Sequence, residues 1–170
     1  MSDMLSSEKY AECLCREMAS PVGRLALYAG EESLLAIEFI GTSADSSLCQ
    51  GDSAILLETE RQLLAYFSGR LTVFNLPLLP LGTDFQISVW QAMRQIPFGV
   101  TRTYGEIAEK VGSKNKARAV GQAANKNPLP IVIPCHRVVG AGNRLTGFAP
   151  GIDKKAILLN HEQGVGIWCA

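Results

Sequence analysis

The 170-residue chain reads as an α/β N-terminal module, a small antiparallel sheet plus a helix, followed by a mainly α C-terminal domain with a helix-turn-helix. Three observations predict this. Apolar residues alternate between Val22 and Phe39 around a Gly30-Glu31-Glu32 turn, as in a hairpin with one buried face. The stretch Leu76-Pro77-Leu78-Leu79-Pro80-Leu81-Gly82 then interrupts the pattern with two prolines and a glycine. Beyond it the apolar spacing becomes helical, and two helices open on side-chain caps.

Taken in order, residues 21–30 form a turn and then a strand, and residues 33–39 supply the partner strand. Residues 41–53 are rich in Ser, Asp and Gly and predict a loop. Ala54 to Phe67 carries apolar residues at helical spacing and is stopped by Ser68-Gly69. The proline-bearing stretch places the domain boundary between 80 and 81. Thr83-Asp84-Phe85-Gln86 fits a capping box, followed by an apolar face of Phe85, Val89, Trp90 and Met93 that Pro97 ends. Thr103-Tyr104-Gly105-Glu106 is a second capping box, opening a short helix to Lys110. Val111-Gly112-Ser113 turns the chain, and residues 115–125 form a second helix, completing the helix-turn-helix. Its inner side is small (Ala117, Ala119, Val120, Ala123, Ala124), which lets it approach another backbone closely. Asp153 predicts the N-cap of a last helix ending near Gly164.

Net charge is zero but unevenly distributed. Residues 1–80 hold 5 Lys/Arg against 11 Asp/Glu, and residues 81–170 hold 11 against 5. Residues 100–126 alone carry 6 Lys/Arg and 2 Glu, so the C-terminal half is the one suited to a polyanion. No apolar stretch is long enough to predict a membrane span, and the N-terminus has no signal-peptide pattern, so the cytoplasm is the expected location. The five cysteines (Cys13, Cys15, Cys49, Cys135, Cys169) are odd in number and lack framework spacing. With only two histidines, they predict neither a disulfide scaffold nor a metal site. No cofactor motif is present.

The run Ile131-Val132-Ile133-Pro134-Cys135-His136-Arg137-Val138-Val139-Gly140 carries the chemistry. Its β-branched start predicts a buried strand end, and Pro134 fixes the backbone ahead of Cys135. Thiolate is the reactive form of cysteine, and the cations that follow Cys135 predict a lowered thiol pKa.

The Pro-Cys-His-Arg run resembles the active-site motif of the O6-alkylguanine-DNA alkyltransferases. The resemblance covers residues 82–164 in family order: Gly82-Thr83-Asp84-Phe85-Gln86 with Val89-Trp90, Ile96-Pro97-Phe98-Gly99, Thr103-Tyr104-Gly105-Glu106-Ile107-Ala108, Ala117-Arg118-Ala119-Val120-Gly121, Asn127-Pro128, the cysteine run, and Leu158-Leu159-Asn160-His161-Glu162. It implies repair of double-stranded DNA by irreversible transfer of an alkyl group from alkylated guanine to Cys135, once per molecule, by a monomer without a cofactor. Alkylated thymine and cooperative DNA binding stay open.

By matched position, Cys135 is the acceptor, His136 and Glu162 poise it, and Tyr104 resembles the proton donor. Adjacent side chains seldom face one another, so a water would bridge Cys135 and His136. Arg118 resembles the arginine that fills the gap left by a rotated base, beside Thr103, Lys116 and Ala119 as DNA-binding residues. Asn127 matches a loop-holding asparagine, and Val138, Phe148 and Ala149 line the pocket. Two departures stand in the pocket loop. Phe148 lacks a hydroxyl usual there, and Pro150 replaces a glycine, which bears on pocket width and not on reaction type. A damage-flagging relative would lack the cysteine, a plain regulator would not need it, and a cysteine hydrolase would need an oxyanion hole that the sequence does not reveal.

Overall fold

The computed structural model describes residues 13–41, 51–112 and 114–164. Most of the predicted 41–53 loop, Ser113 of the predicted turn, Cys49 and Cys169 lie outside them.

The N-terminal part is a three-stranded antiparallel sheet in the order β1 (Leu14–Ser20), β2 (Gly23–Ala29), β3 (Leu34–Ile40). The hairpin of β2 and β3 is the predicted one, pairing Leu25 with Phe39 and Leu27 with Ile37. Strand β1 is an addition to it. Its Arg16 and Glu17 break the strict alternation that reveals its neighbours, although Cys15 and Met18 are buried. Helix α1 (Ala54–Phe67) is capped by Ser53 and covers the sheet with Leu56, Leu63 and Tyr66. Cys15 is disulfide-bonded, so the odd cysteine count conceals a bridge.

The stretch after α1 is a boundary in composition but not a free linker. It runs along the outer edge of β3, where Leu34 N donates to Pro77 O and Leu79 N donates to Leu34 O. Farther along the same edge, Ile37 N donates to Pro128 O at 2.8 Å. A strand edge that would otherwise expose unpaired groups is thereby tied to the loop that leads to Cys135.

Helices α2 (Asp84–Arg94) and α3 (Tyr104–Lys110) both open on the expected capping boxes, with Thr83 paired to Gln86 and Thr103 to Glu106. A 3₁₀ turn (Lys114–Lys116) leads into α4 (Ala117–Asn125), the second helix of the helix-turn-helix. Val120, Ala123 and Ala124 face inward, and Trp90 Nε1 donates to Ala123 O, locking α4 onto α2. Two residue pairs form a short parallel ladder, Arg102 with Val138 and Thr103 with Val139, between β4 (Arg102–Thr103) and β5 (Val138–Val139). Helix α5 (Ile152–Glu162) closes the chain. No described helix is long and apolar enough to cross a membrane.

Two sequence expectations are corrected. Residues 131–133 are buried, but they form a tight turn and not a strand end. Ile131 has φ 75°, a left-handed conformation that is strained for a β-branched residue, at a cost of about 1–3 kcal/mol. Burial on all sides produces the same apolar run as a strand would. The N-cap of α5 is Gly151 at φ 120°, which favours glycine, and Asp153 sits in the first turn.

Candidate active site

Asn127 builds the approach to the cysteine. Its Nδ2 donates to Ile133 O at 2.8 Å and its Oδ1 accepts from Leu129 N at 3.0 Å. This staple holds the strained turn, and Pro134 then leads into a 3₁₀ turn, Cys135–Arg137, with Cys135 N donating to Ile133 O. Cys135 is buried, and it is a free thiol.

Behind it stands one carboxylate. Glu162, at the end of α5, accepts His136 Nε2–H on Oε1 at 2.7 Å and Gly99 N–H on Oε2 at 3.0 Å. Arg137 adds Nε to Oε2 at 2.8 Å and Nη2 to Oε1 at 3.0 Å. The hydroxyl of Tyr66, from α1, donates to Oε1 at 2.7 Å. Burial alone would raise the pKa of Glu162, but hydrogen bonds and charge from His136 and Arg137 outweigh it and hold the carboxyl well below its usual range. Burial pushes the pKa of His136 down against the pull of Glu162, so the ring is neutral at pH 7. With Nε2 protonated towards Glu162, Nδ1 is the free acceptor. It is buried and makes no hydrogen bond to any described residue.

Gly99 supplies its bond because it can adopt φ 75° with its backbone against the helix end, where a Cβ would lie 3.1 Å from Glu162 O. That geometry gives a physical role to the Ile96-Pro97-Phe98-Gly99 segment, whose Ile96 O also accepts from Arg137 Nη1 at 2.6 Å.

The expected electropositive surround of Cys135 needs correction. Arg137 is turned away from the sulfur and bound to Glu162 and Ile96 O. The cation that faces Cys135 is Lys155 of α5, which the sequence does not single out. Lys155 is fully buried, and its Nζ donates to Val138 O at 2.5 Å and Thr146 O at 2.7 Å. Burial lowers its pKa to about 8, with Cys135 pulling the other way. The net effect on the thiol is also the reverse of the expectation. Burial pushes the Cys135 pKa up, and Asn127, Lys155 and backbone N–H groups only partly offset it. The resting group is a thiol awaiting a base.

A pocket of about 270 Å³ opens at Cys135, close to small-ligand scale. Asn127, Pro130, Phe148, Ala149 and Pro150 line one side, Ala124 and Asn125 of α4 another, and Ile37, Glu38 and Phe39 of β3 a third. Phe39 meets the buried Phe148 edge-on, with centroids 6.2 Å apart. The strand residues were not expected at the site. They are far away in sequence and read simply as half of a hairpin.

Tyr104 begins α3, and its hydroxyl lies within reach of the Thr146 and Gly147 carbonyls, at 3.1 and 3.0 Å. Burial first, then the neighbouring Cys135, raises its pKa, keeping it protonated. Arg118 and Lys116 are exposed at the start of α4 and Ala119 is half-buried. The Thr103 side chain caps α3, bonding Glu106, so what it offers outward is limited. Val138 is fully buried and acts through its carbonyl on Lys155.

Comparison with known proteins follows the same division. Residues 84–164 match the family model for the DNA-binding domain of 6-O-methylguanine DNA methyltransferase, and residues 13–80 match that for its ribonuclease-like domain. A methylated-DNA–protein-cysteine methyltransferase of Methanosarcina acetivorans is 45% identical over 146 residues, covering 84% of this chain and 94% of the relative. One from Mycobacterium leprae is 45% identical over 152 residues, covering 88% and 92%. Among solved structures, the O6-methylguanine methyltransferase of Mycobacterium tuberculosis superposes with a TM-score of 0.81 at 41% identity, covering 89% of this chain and 93% of that one. A structure of the Mycobacterium tuberculosis protein in complex with DNA gives 0.80 at 41% identity, covering 88% and 92%.

Proposed function

The chain belongs to the 6-O-methylguanine DNA methyltransferase family, and from that premise we propose Cys135 as the alkyl acceptor and O6-alkylguanine as the substrate. The protein binds DNA and repairs it by moving the alkyl group onto a cysteine. The observation that carries the assignment is a free, buried thiol that lines a pocket of about 270 Å³ and is followed directly by His136, whose ring is held by Glu162 through Nε2.

The chemistry follows from that arrangement. The Cys135 proton passes through a bridging water to His136 Nδ1, and Glu162 stabilises the imidazolium that results. The thiolate, facing Lys155, attacks the alkyl carbon in line. The carbon–oxygen bond breaks and the electron pair leaves on guanine, which Tyr104 neutralises with its phenolic proton. The alkylated oxygen lies inside a duplex stack, so the nucleotide must rotate out, at a cost of a few kcal/mol. Exposed Arg118 on α4 is suited to hold the vacated space, with Lys116 on the phosphates. The product is a thioether, and no described group near Cys135 is suited to cleave it, so each molecule is expected to act once.

Incubation with excess methylated duplex, followed by intact mass and peptide mapping, tests the assignment. One alkyl group per chain on Cys135 is expected, and none in Cys135→Ser. Continued turnover, or an adduct on another cysteine, overturns it.

A further inference from the structure

We propose that Tyr66 is a positioning residue for the transfer: its hydroxyl, carried by the N-terminal helix α1, shares Glu162 Oε1 with His136 Nε2 and so sets how strongly that carboxylate holds the imidazole. The inference rests on the relay just described, and it gives the N-terminal domain a part in the chemistry.

Tyr66 is fully buried among Phe67, Phe74, Phe98 and His161, with ring centroids 5.1–5.9 Å away. A phenylalanine would pack equally well among those rings. The added hydroxyl reaches across 96 positions in sequence to the one oxygen that also receives the imidazole. It is held on target from both ends, because His161 Nε2, next to Glu162 in sequence, donates to Tyr66 O at 2.7 Å.

Tyr66 and His136, at 2.7 Å each, compete for the charge on Oε1 alongside the longer Arg137 Nη2 bond at 3.0 Å. Every donor that draws on that oxygen weakens its hold on a protonated His136. The tyrosine bond therefore tempers the pair. It keeps Glu162 oriented while favouring the neutral imidazole that can accept the thiol proton. The other groups facing His136 are Arg137 and Cys135 from its own turn and Lys155 from α5. None of them bonds the Tyr66 hydroxyl, so its removal leaves their influence in place.

Tyr66→Phe keeps the ring and removes only the bond. The expected result in the full chain is a His136 titration moved upward by about half to one pH unit, the scale of one hydrogen bond. The acid limb of the single-turnover rate against pH should move with it. The first is read by NMR of the imidazole, the second with methylated duplex. An unmoved titration overturns the proposal, as does a lowered melting temperature with the titration and the acid limb both in place, which would mean a purely structural hydroxyl. The NMR titration does not depend on which cysteine accepts the group. Mapping the adduct therefore tests the earlier assignment separately.

Discussion

Arg137 donates to both oxygens of Glu162 although it follows the nucleophile by only two residues. Its guanidinium is thus committed to holding the relay carboxylate in its ionised form, and the cation beside the sulfur has to come from another helix. Removing one partner of a buried ion pair leaves an uncompensated charge, at about 3–5 kcal/mol. Arg137→Met is expected to lose stability on that scale in chemical denaturation and to slow transfer, since Glu162 then drifts from His136. A loss under about 1 kcal/mol would contradict this account.

Lys155 makes a pH prediction. Its folded pKa is about 8, against 10.5 for the ordinary group, so between those values the unfolded chain binds the extra proton. Stability from this site is therefore lowest below pH 8 and recovers as pH rises to 10.5, by up to about 3 kcal/mol. Denaturation of Cys135→Ala against Cys135→Ala/Lys155→Met removes the thiol's own titration from the comparison. Their stability difference should shift in favour of the lysine-bearing protein across that window, and a flat difference would argue against a buried ammonium.

Gly99→Ala places a methyl group 3.1 Å from Glu162 O at a positive φ. A loss of about 1–3 kcal/mol is expected, together with slower transfer, because the N–H that orients Oε2 is displaced. Thermal melting and single-turnover rates read the two effects.

Arg118→Ala is expected to slow repair of duplex DNA much more than reaction with a free alkylated base, because only the duplex has a stack to fill. Affinity for DNA should also fall steeply with added salt in the parent protein. Equal slowing on both substrates would remove Arg118 from the extrusion step.

The parts legible in the sequence are those whose cause is local. Thr83 and Thr103 satisfy backbone donors three residues away, so their capping boxes can be read directly, and the helix-turn-helix follows from them. Cys135, His136 and Glu162 are legible through the resemblance of their motifs, since a buried cysteine or a helix-end acid read alone has many ordinary roles. Lys155 was hidden because a Lys154-Lys155 pair at a helix start reads as solvated, and its burial depends on carbonyls of Val138 and Thr146 brought in by other loops. Tyr66 falls within the apolar spacing of the Ala54 to Phe67 helix and is not singled out there, since the partner of its hydroxyl is in the last helix. The orientation of Arg137, and with it the sign of the Cys135 shift, depended on where Glu162 lies in space, which spacing alone does not reveal.

The two-pair ladder between β4 and β5 has a consequence for how this site can vary. Tyr104 follows the first strand directly, and the Cys135–Arg137 turn precedes the second, so donor and acceptor hang from one backbone joint. Main-chain hydrogen bonds set their separation. Substitution at exposed Arg102 leaves that joint in place, whereas the fully buried Val138 is fixed by packing as well. Inserting or deleting one residue between Thr103 and Tyr104, or between Arg137 and Val138, moves one reacting group a full step past the other. The pair is therefore more exposed to changes in length than to changes of side chain on its outer strand.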